Sequence, residues 1–358
     1  MDEIKVMMVC ESFGGGVFAY VSQLCNDLID FFEIHLVYSV RPQTPSNFKE
    51  KLDPRIKLYE IKNFGNLKKL HSTKKQLKKL EDEIKPNIIH LHSSIAGAIG
   101  RMTFKGKKNT VLYTPHGYAH ILLGKGFKSK LYRFVEKVLG KKNCITLTCC
   151  ESEDYEARKF SKKTAFIETG INVEAFDKVL SNVKSDEKKE FTCFTLGRVC
   201  TQKQPQIFNE IALLVPNVKF VWIGSGELEN QLTAPNIEVT GWKSREEALS
   251  IAKKSDIFIL CSLGEAIAMS LLENLYLKKL CLVSNTIGNK SVIVNSENGY
   301  ICDSPQEYAK RIIESEKNYP NNLIENGYND ILKIYNTNVM KVKYKKYYEK
   351  LVKEKKNG

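Results

Sequence analysis

Short apolar runs alternate with amphipathic runs along almost the whole chain. The first apolar run, Ile4 to Cys10, predicts a buried strand, and the run after it, Val17 to Ile29, repeats its apolar residues at helical spacing. This alternation continues to Ile167, restarts at Phe191 and ends in a helical tail. Strands interleaved with helices predict an α/β protein with mostly parallel sheets covered by helices on both faces.

A break in this pattern indicates where the chain divides. The stretch from Asp177 to Glu190 is rich in Lys and Ser and poor in apolar residues, which is typical of a linker. With 358 residues the chain is long enough for two hydrophobic cores. We predict domains at 1–170 and 171–336, followed by a Lys- and Tyr-rich helix at 337–358.

The composition is that of a globular protein without a membrane span. Apolar residues make up 42% of the chain and charged residues 27%. No uninterrupted apolar run reaches the length of about 18 residues that a spanning helix needs, and the acidic amino terminus is unlike a signal peptide. Ten cysteines, none in a Cys-x-x-Cys pair, indicate reduced thiols and a cytoplasmic protein.

Two glutamates flank the end of a predicted strand in the second half. The strand from Asp256 to Cys261 runs into a turn, and a helix is predicted from about Ala268. Glu265 lies on the turn and Glu273 on the helix, so both can face the edge where α/β sheets bind ligands. For this stretch alone, the alternative is a solvated glutamate beside an ordinary amphipathic helix.

Two cations follow an earlier strand of the same half. Arg198 ends that strand, and Lys203 precedes a helix that starts near Gln206. Helix amino termini favour anions, and Arg and Lys bind phosphate oxygens, so this pair suits a diphosphate. Exposed basic residues without a ligand are the alternative, since the chain is rich in lysine.

A nicotinamide cofactor is not expected, although the chain opens like a Rossmann domain. The glycine loop Gly14 to Gly16 is followed by Val-Phe-Ala-Tyr and lacks the third glycine of the dinucleotide fingerprint. The end of the second predicted strand, Val37 to Ser39, carries no acid for the ribose. A dehydrogenase is therefore disfavoured.

Seven short motifs follow one another along nearly the whole chain. They are Gly14 to Gly16, Thr114-Pro-His116-Gly117, Thr169-Gly-Ile-Asn172 with Phe176, Gly197-Arg198 with Lys203, Gly224-Ser-Gly226, Glu265 with Glu273, and Asn298-Gly299. In this order and spacing they resemble the retaining glycosyltransferases of the family 4 type. Each motif alone is weak evidence, and the resemblance rests on all seven occurring in the family's order and spacing.

The resemblance implies a GT-B fold, with two Rossmann-like, doubly wound parallel-sheet domains facing a cleft. The first domain would bind the acceptor and the second the nucleotide sugar. The implied catalytic residues are His116, Glu265, Arg198 and Lys203. The implied nucleotide-sugar-binding residues are Gly15, Gly16, Arg198, Lys203, Gly224, Gly226, Trp242, Ala268, Met269, Ser270 and Glu273.

The resemblance also implies what these side chains do. The two cations would stabilise charge on the departing diphosphate, and Glu273 would accept hydrogen bonds from the ribose. Glu265 would contact hydroxyls of the donor sugar, and His116 would touch that sugar from the first domain. Two departures from the family pattern, Glu265-Ala-Ile-Ala268 and the acid-free run Ile287 to Ser291, leave the sugar preference open.

No metal cofactor is expected. An Asp-x-Asp pair that could hold Mg²⁺ between phosphates is missing, so we expect a metal-independent transfer from a nucleotide sugar, with UDP as the family's commonest nucleotide. All six histidines lie in the first half, among them the pairs His90 with His92 and His116 with His120. A zinc site there is an alternative, disfavoured because no carboxylate stands at ligand spacing.

The net charge of +14 is concentrated in the first half. Residues 1–170 hold 29 Lys and Arg against 18 Asp and Glu, with two basic amphipathic runs at 62–85 and 124–142. Such runs fit helices packed on a sheet with solvated lysines, and they also adsorb to anionic membranes. Because relatives use lipid-diphosphate-linked saccharide acceptors, we predict a peripheral protein on the inner face of the plasma membrane, acting in capsule, O-antigen or exopolysaccharide assembly.

Two other functions fit parts of the sequence. Nucleic-acid binding would suit the basic pI of 9.1, but no helix-turn-helix, RNA-binding aromatic signature or zinc finger is visible, so no nucleic-acid partner is predicted. Within enzymes, a GT-B-fold epimerase or phosphorylase acting on nucleotide sugars is the alternative. A hexosyl- or N-acetylhexosaminyltransferase is favoured over both.

Overall fold

In the computed structural model the chain forms two compact α/β units. The structure describes residues 3–122, 126–183 and 190–357. The first unit comprises Met1–Glu168 and Asn338–Gly358, and the second comprises Thr169–Thr337. Each unit is built on its own parallel sheet, which confirms the doubly wound α/β prediction.

Within the described residues the first sheet has the strand order β3-β2-β1-β4-β5-β6-β7. Its strands are β1 (Lys5–Cys10), β2 (Glu33–Tyr38), β3 (Lys57–Glu60), β4 (Ile88–His92), β5 (Thr110–Thr114), β6 (Ile145–Thr148) and β7 (Thr164–Phe166). The helices between them are α1 (Gly15–Leu28), α2 (Leu70–Ile84), α3 (Ser94–Thr103), α4 (Ala119–Leu122), α5 (Phe127–Leu139) and α6 (Glu151–Ala157).

The second sheet has the order β10-β9-β8-β11-β12-β13. Its strands are β8 (Thr192–Leu196), β9 (Lys219–Ile223), β10 (Ile237–Val239), β11 (Ile257–Leu260), β12 (Leu280–Ser284) and β13 (Tyr300–Cys302). The helices are α7 (Val173–Ser181), α8 (Pro205–Leu214), α9 (Arg245–Lys254), α10 (Met269–Tyr276), α11 (Ile287–Val292), α12 (Pro305–Lys317) and α13 (Asn321–Lys333), and the chain ends in α14 (Thr337–Asn357).

The central strands are apolar on both faces because helices cover both faces of each sheet. In β1 the residues from Val6 to Cys10 are all buried, with alternate side chains in two separate cores. The strand β11 repeats this arrangement in the second unit. Polar side chains are therefore displaced to the strand ends, where parallel strands of one sheet all finish at the same edge.

The carboxyl-terminal helix, for which the sequence named no partner, packs on the first unit. α14 contributes Met340, Tyr344 and Tyr348 to the core that also holds α1. The hydroxyl of Tyr344 lies 2.7 Å from that of Tyr20, and the hydroxyl of Tyr348 lies 2.7 Å from Nδ1 of His90. The tyrosines of this helix thus serve the core, while its lysines are partly or fully exposed.

The stretch predicted as a linker begins inside a helix. Asn172 caps α7 by accepting a hydrogen bond from the amide of Ala175 at 2.9 Å, and Phe176 anchors the helix in a small core. The polar residues from Asp177 to Ser181 therefore belong to a helix, and the linker interpretation was wrong for them. Residues 184–189 lie outside the described residues.

No helix among the described residues is long and apolar enough to cross a bilayer.

Candidate functional site

A pocket of about 230 Å³ lies at the carboxyl ends of β8 and β9 in the second unit. It is the edge of the sheet at which α/β proteins bind ligands. Three of the predicted binding residues, Gly224, Trp242 and Glu273, line it together. The remaining lining residues are Leu196, Gly197, Ile223, Lys243, Arg245, Ala248 and Leu249.

Backbone atoms form part of the wall of this pocket, because the turns that follow two strands pack directly on each other. Gly224 has φ +140°, and a Cβ at this position would stand 2.2 Å from the carbonyl oxygen of Gly197. The same oxygen accepts a hydrogen bond from the indole nitrogen of Trp222 at 2.9 Å. A Cβ on Gly226 would likewise stand 2.2 Å from the Val199 carbonyl oxygen. Both predicted glycines are therefore required for the close packing of these turns.

Glu273 is the one acidic side chain among the residues that line this pocket. It sits on α10, its side chain is 14% exposed, and its Oε1 accepts a hydrogen bond from the Arg245 guanidinium at 2.7 Å. Burial raises the pKa of the Glu273 carboxyl, and Arg245 opposes that rise. Arg245 thus favours the ionised carboxylate, which is an acceptor of hydrogen bonds only.

Sequence reasoning missed Arg245. It is the first residue of α9, follows Gly241-Trp242 by a few positions, and looks like one more surface cation in a Lys-rich chain. The structure also places its guanidinium 5.4 Å from the ring centre of Phe176. The one available signal was its position shortly after a strand-end Gly-Trp pair.

Trp242 presents most of its ring to solvent beside this pocket. The side chain is 70% exposed, which is unusual for the largest apolar residue. It follows Gly241, whose φ of +70° turns the chain at the end of β10. An exposed aromatic face next to a partly buried carboxylate can stack on a planar base while the carboxylate binds its sugar.

A second ion pair joins the turn after β8 to the turn after β11. Lys203 Nζ donates to Glu265 Oε1 at 2.7 Å, and the Ser262 hydroxyl donates to the same oxygen at 2.7 Å. The Gln202 amide adds a hydrogen bond to the Gly264 carbonyl at 3.0 Å. The structure therefore brings together Lys203 and Glu265, two residues that the sequence assigned to the diphosphate and the donor sugar.

The turn that carries Glu265 is supported from behind by α11. A Cβ on Gly288 would stand 1.8 Å from the carbonyl oxygen of Ala266, so helix and turn are in backbone contact. Ser284, at the end of β12, donates to the Ser262 carbonyl at 2.6 Å. The run Ile287 to Ser291, which departs from the family pattern, thus has a positioning role here.

The other predicted residues of the second unit do not line the pocket. Arg198 is exposed at the end of β8 and does not line the pocket. Ala268 precedes the first turn of α10, and Met269 and Ser270 form that turn. The amide groups of such a first turn lack helical partners and favour anions.

The ends of β4 and β5 in the first unit carry uncharged polar rings, while the end of β1 carries an ion pair of Glu11 with Arg41 at 3.7 Å. His116 follows β5 with φ +56°, and its Nε2 lies 3.0 Å from Nδ1 of His92 at the end of β4. Its Nδ1 lies 3.7 Å from Sγ of Cys149, and its ring centre lies 4.6 Å from that of Tyr20. Burial lowers the pKa of His116 to about 3, so this imidazole is neutral at physiological pH.

The loop that carries His116 is fixed by a buried carboxylate that sequence reasoning missed. Glu153 on α6 accepts hydrogen bonds from the Gly117 amide at 2.9 Å and the Cys149 amide at 3.0 Å. Burial raises the pKa of Glu153, and these two hydrogen bonds oppose the rise. Its position five residues after β6 gave no signal, because an acid in the first turn of a helix is usual.

The glycine loop opens toward solvent at the amino terminus of α1. Gly15, with φ +54°, is the first residue of that helix, and Gly16 follows it. A Cβ at either position would meet no atom within 4 Å, so packing inside the protein does not require these glycines. A ligand that approaches the backbone closely would require them.

Across the described ranges, no group of three or more His, Cys, Asp or Glu side chains is placed to hold a metal ion.

Two family models match the chain in sequence. Residues 14–175 match the description "Glycosyltransferase Family 4", and residues 176–330 match "Glycosyl transferases group 1". The UDP-Gal:alpha-D-GlcNAc-diphosphoundecaprenol alpha-1,3-galactosyltransferase of Escherichia coli is 30% identical over 270 residues, which is 68% of each chain. The chain is a family 4-type glycosyltransferase.

Solved structures agree on the fold of this glycosyltransferase. The sucrose-phosphate synthase of Thermosynechococcus elongatus has a TM-score of 0.79 at 14% identity, over 97% of this chain and 99% of that chain. HepE of Anabaena in complex with UDP-glucose has a TM-score of 0.74 at 14% identity, over 95% and 98% of the two chains. The fold is GT-B, as the resemblance implied.

Proposed function

We propose that this glycosyltransferase moves a hexosyl or N-acetylhexosaminyl group, with retention of configuration, from a UDP-sugar to a lipid-diphosphate-linked saccharide. The proposal places the enzyme on the inner face of the plasma membrane, in the assembly of a capsule, O-antigen or exopolysaccharide. The E. coli relative is named for UDP-galactose and a diphosphoundecaprenol acceptor, which supports both substrate classes.

The observation that carries the donor assignment is the pocket with Glu273, Arg245 and Trp242. A nucleoside offers a planar base and two neighbouring ribose hydroxyls. Trp242 stacks on the base, and the two carboxylate oxygens of Glu273 accept hydrogen bonds from the hydroxyls. Arg245 is a positioning residue that keeps Glu273 ionised and aimed into the pocket.

The diphosphate then lies toward Lys203, Arg198 and the first turn of α10. Transfer breaks the bond between the anomeric carbon and the diphosphate oxygen, whose electron pair leaves with the nucleotide. A new bond forms from the anomeric carbon to a hydroxyl oxygen of the acceptor. Lys203 and Arg198 stabilise the growing negative charge, and with two cations in this role the transfer proceeds without a metal.

Lys203 and Glu265 form an ion pair with each other, so the role of each in substrate binding must be compatible with this pair. Because Lys203 has three donors, it can keep Glu265 as a partner while it donates to a phosphate oxygen. Glu265 keeps a second oxygen for hydroxyls of the sugar. The Ala266-Ile267-Ala268 turn sets which hydroxyls reach it, so this turn selects the sugar.

In the first unit the proposal assigns His116 to a hydroxyl of the sugar and the amides of Gly15 and Gly16 to phosphate oxygens. The neutral imidazole of His116 can exchange its hydrogen bond with His92 for one to a sugar hydroxyl without changing charge. A Cβ on Gly15 or Gly16 would meet no atom within 4 Å, and the amides at the start of a helix favour phosphate.

The proposal is tested by a thermal-shift panel of UDP, GDP, dTDP and ADP on the full chain. A nucleotide that binds the native state alone raises the melting temperature, by an amount that grows with its concentration. We expect UDP to give the largest shift. UDP release from a UDP-sugar that requires a lipid-linked saccharide indicates transfer, whereas release without an acceptor, or interconversion of the sugar, indicates a phosphorylase or an epimerase and contradicts the proposal.

A further inference from the structure

Helix α5 presents its apolar face to solvent. Phe127, Leu131, Phe134 and Val138 are 82%, 52%, 64% and 46% exposed. At about 100° per residue they fall within an arc of about 60° on one side of the helix. Single exposed apolar residues are normal on a protein surface, but a contiguous row of four large ones marks an interaction site.

The opposite face of α5 is turned into the protein and buries Glu136 together with Leu139. The carboxylate of Glu136 accepts hydrogen bonds from the Arg101 guanidinium at 2.9 and 3.1 Å and from the Tyr113 hydroxyl at 3.0 Å. Glu136 and Arg101 are both buried. The Ser129 hydroxyl donates to the His120 carbonyl at 2.6 Å.

This buried ion pair fixes the rotation of the helix about its axis. Turning the apolar row inward would carry Glu136 into solvent and leave Arg101 as an unpaired buried charge, which proteins strongly disfavour. The outward position of the apolar row is therefore built into the fold.

Basic residues border the apolar row. Lys128 lies on one side of it, Lys130, Arg133 and Lys137 lie on the other, and Lys141 and Lys142 follow the helix, all of them exposed. The one acid of α5, Glu136, is buried against Arg101. Every charged side chain on the outer surface of this helix is therefore cationic.

We propose that α5 inserts the row Phe127, Leu131, Phe134 and Val138 into the surface of an anionic lipid bilayer. At 13 residues the helix is about 20 Å long, too short to span a bilayer and suited to lie in the interface. The apolar side chains then enter between the headgroups, and the bordering cations contact lipid phosphates. A second copy of the chain fits this face poorly, because two such faces would bring their cations together.

The inference rests on the proposed function, because a lipid-linked acceptor resides in the membrane, and deepens it by naming the surface that docks there. It also predicts how the enzyme binds. Adsorption through lysines alone ends at high salt, whereas inserted phenylalanines hold the protein after the charges are screened.

The test is co-sedimentation of the full chain with vesicles of phosphatidylglycerol and phosphatidylcholine, or of phosphatidylcholine alone. It is run at low salt and at about 1 M NaCl, where the Debye length falls to about 3 Å. We expect the wild type to prefer anionic vesicles and to keep part of its binding at high salt. The double variant Phe127→Ser/Phe134→Ser should bind at least roughly tenfold more weakly per phenylalanine and lose the salt-resistant part.

A matched control is Val342→Ser on α14, a residue that is 49% exposed in the same unit. It should bind vesicles like the wild type. Equal binding by the wild type and the double variant, or wild-type binding that vanishes at high salt, overturns the inference. So does a dimer seen by light scattering without vesicles that the double variant abolishes, because the face would then join two copies.

UDP-induced thermal stabilisation of each variant checks that it is folded and separates the two proposals. A wild type that UDP does not stabilise contradicts the proposed function, while its vesicle binding still decides the role of α5.

Discussion

The candidate residues at the ends of the two sheets differ in charge. In the first unit His92 ends β4 and His116 follows β5, and both rings are neutral because burial lowers the pKa of each. In the second unit the turns and helices after the strands carry the pairs Lys203 with Glu265 and Arg245 with Glu273. The first sheet also ends in an ion pair, Glu11 with Arg41 at 3.7 Å, so the difference concerns the candidate residues and not the whole sheet edge. Charged candidate residues in one unit and a neutral imidazole in the other suit an anionic donor and a hydroxyl-bearing partner.

The largest expected effect comes from replacing Lys203, the cation that pairs with Glu265 in the second unit. Lys203→Ala should lower the rate of transfer about 100- to 1,000-fold, because it removes one of the two positive charges proposed to stabilise the leaving diphosphate. The melting temperature should also fall, because Lys203 and Glu265 are only 18% and 12% exposed and the variant leaves the Glu265 carboxylate without its cation. Steady-state kinetics and a thermal melt check both expectations.

The matched control for this variant is Lys219→Ala. Lys219 also makes ion pairs, with Glu238 at 3.1 Å and Glu190 at 3.2 Å, but at the start of β9, away from the strand ends. Its transfer rate should equal that of the wild type. Comparable losses in both variants would mean that any ion pair in this unit matters, and the comparison of the two sheets would fail.

The next largest effect is expected from replacing the partly buried carboxylate of Glu273. Glu273→Gln should weaken UDP binding about 10- to 100-fold, because an ionised acceptor for the ribose hydroxyls is lost. Glu325→Gln removes a carboxylate from an exposed pair with Lys278 and is the matched control. Titration calorimetry measures the UDP affinity of both variants. Unchanged affinity in Glu273→Gln would show that the ribose does not bind to Glu273.

The pH dependence of UDP affinity tests whether Arg245 acts through Glu273. Burial already raises the pKa of Glu273, so affinity should fall as the pH drops through that pKa and the carboxylate gains a proton. Arg245→Met removes the opposing charge and raises this pKa further. The acid limb of the affinity profile should therefore move to higher pH, and an unmoved limb would show that Arg245 does not act through Glu273.

A smaller effect is expected in the first unit. His116→Asn replaces one neutral hydrogen-bonding side chain by another, and we expect the transfer rate to fall about fivefold. UDP affinity should stay at the wild-type value, since the ribose and base are bound by the second unit. A loss of UDP affinity as large as that of Glu273→Gln would break the division between the two sheets.

The last prediction concerns the pH dependence of stability. His116 stays neutral when folded but takes up a proton near pH 6.5 when unfolded, so unfolding binds a proton between that pH and about 3; burial lowers the pKa of His92 as well. The free energy of unfolding should fall with decreasing pH across this window, by at most about 1.4 kcal/mol per pH unit for each histidine. Denaturant melts of the wild type and His116→Asn should show a shallower slope in the variant.

Much of the fold could be predicted because local patterns and global architecture agree. Fully apolar runs such as Val6 to Cys10 occur where both faces of a parallel sheet are covered, and they alternate here with helical spacing in both halves. The strand-end positions of Glu265 and Lys203 followed from the same alternation. Their direct pairing did not, because it depends on how two turns from separate strands approach each other.

The orientation of helices was harder to predict than their position. The basic runs of α2 and α5 look alike in the sequence, yet α2 buries Leu77 and Ile84 while α5 exposes its apolar row. Amphipathic spacing shows that a helix has two faces and does not show which face is inside. The deciding contact, Glu136 with Arg101, joins residues 35 positions apart.

The central claim is that a UDP-sugar binds in the pocket of the second unit. A crystal soaked with UDP tests it most directly. The account predicts density in the pocket lined by Gly224, Trp242 and Glu273, with the ribose hydroxyls within hydrogen-bond distance of Glu273 and the diphosphate beside Lys203. Ordered nucleotide elsewhere on the protein, with this pocket empty, would contradict it.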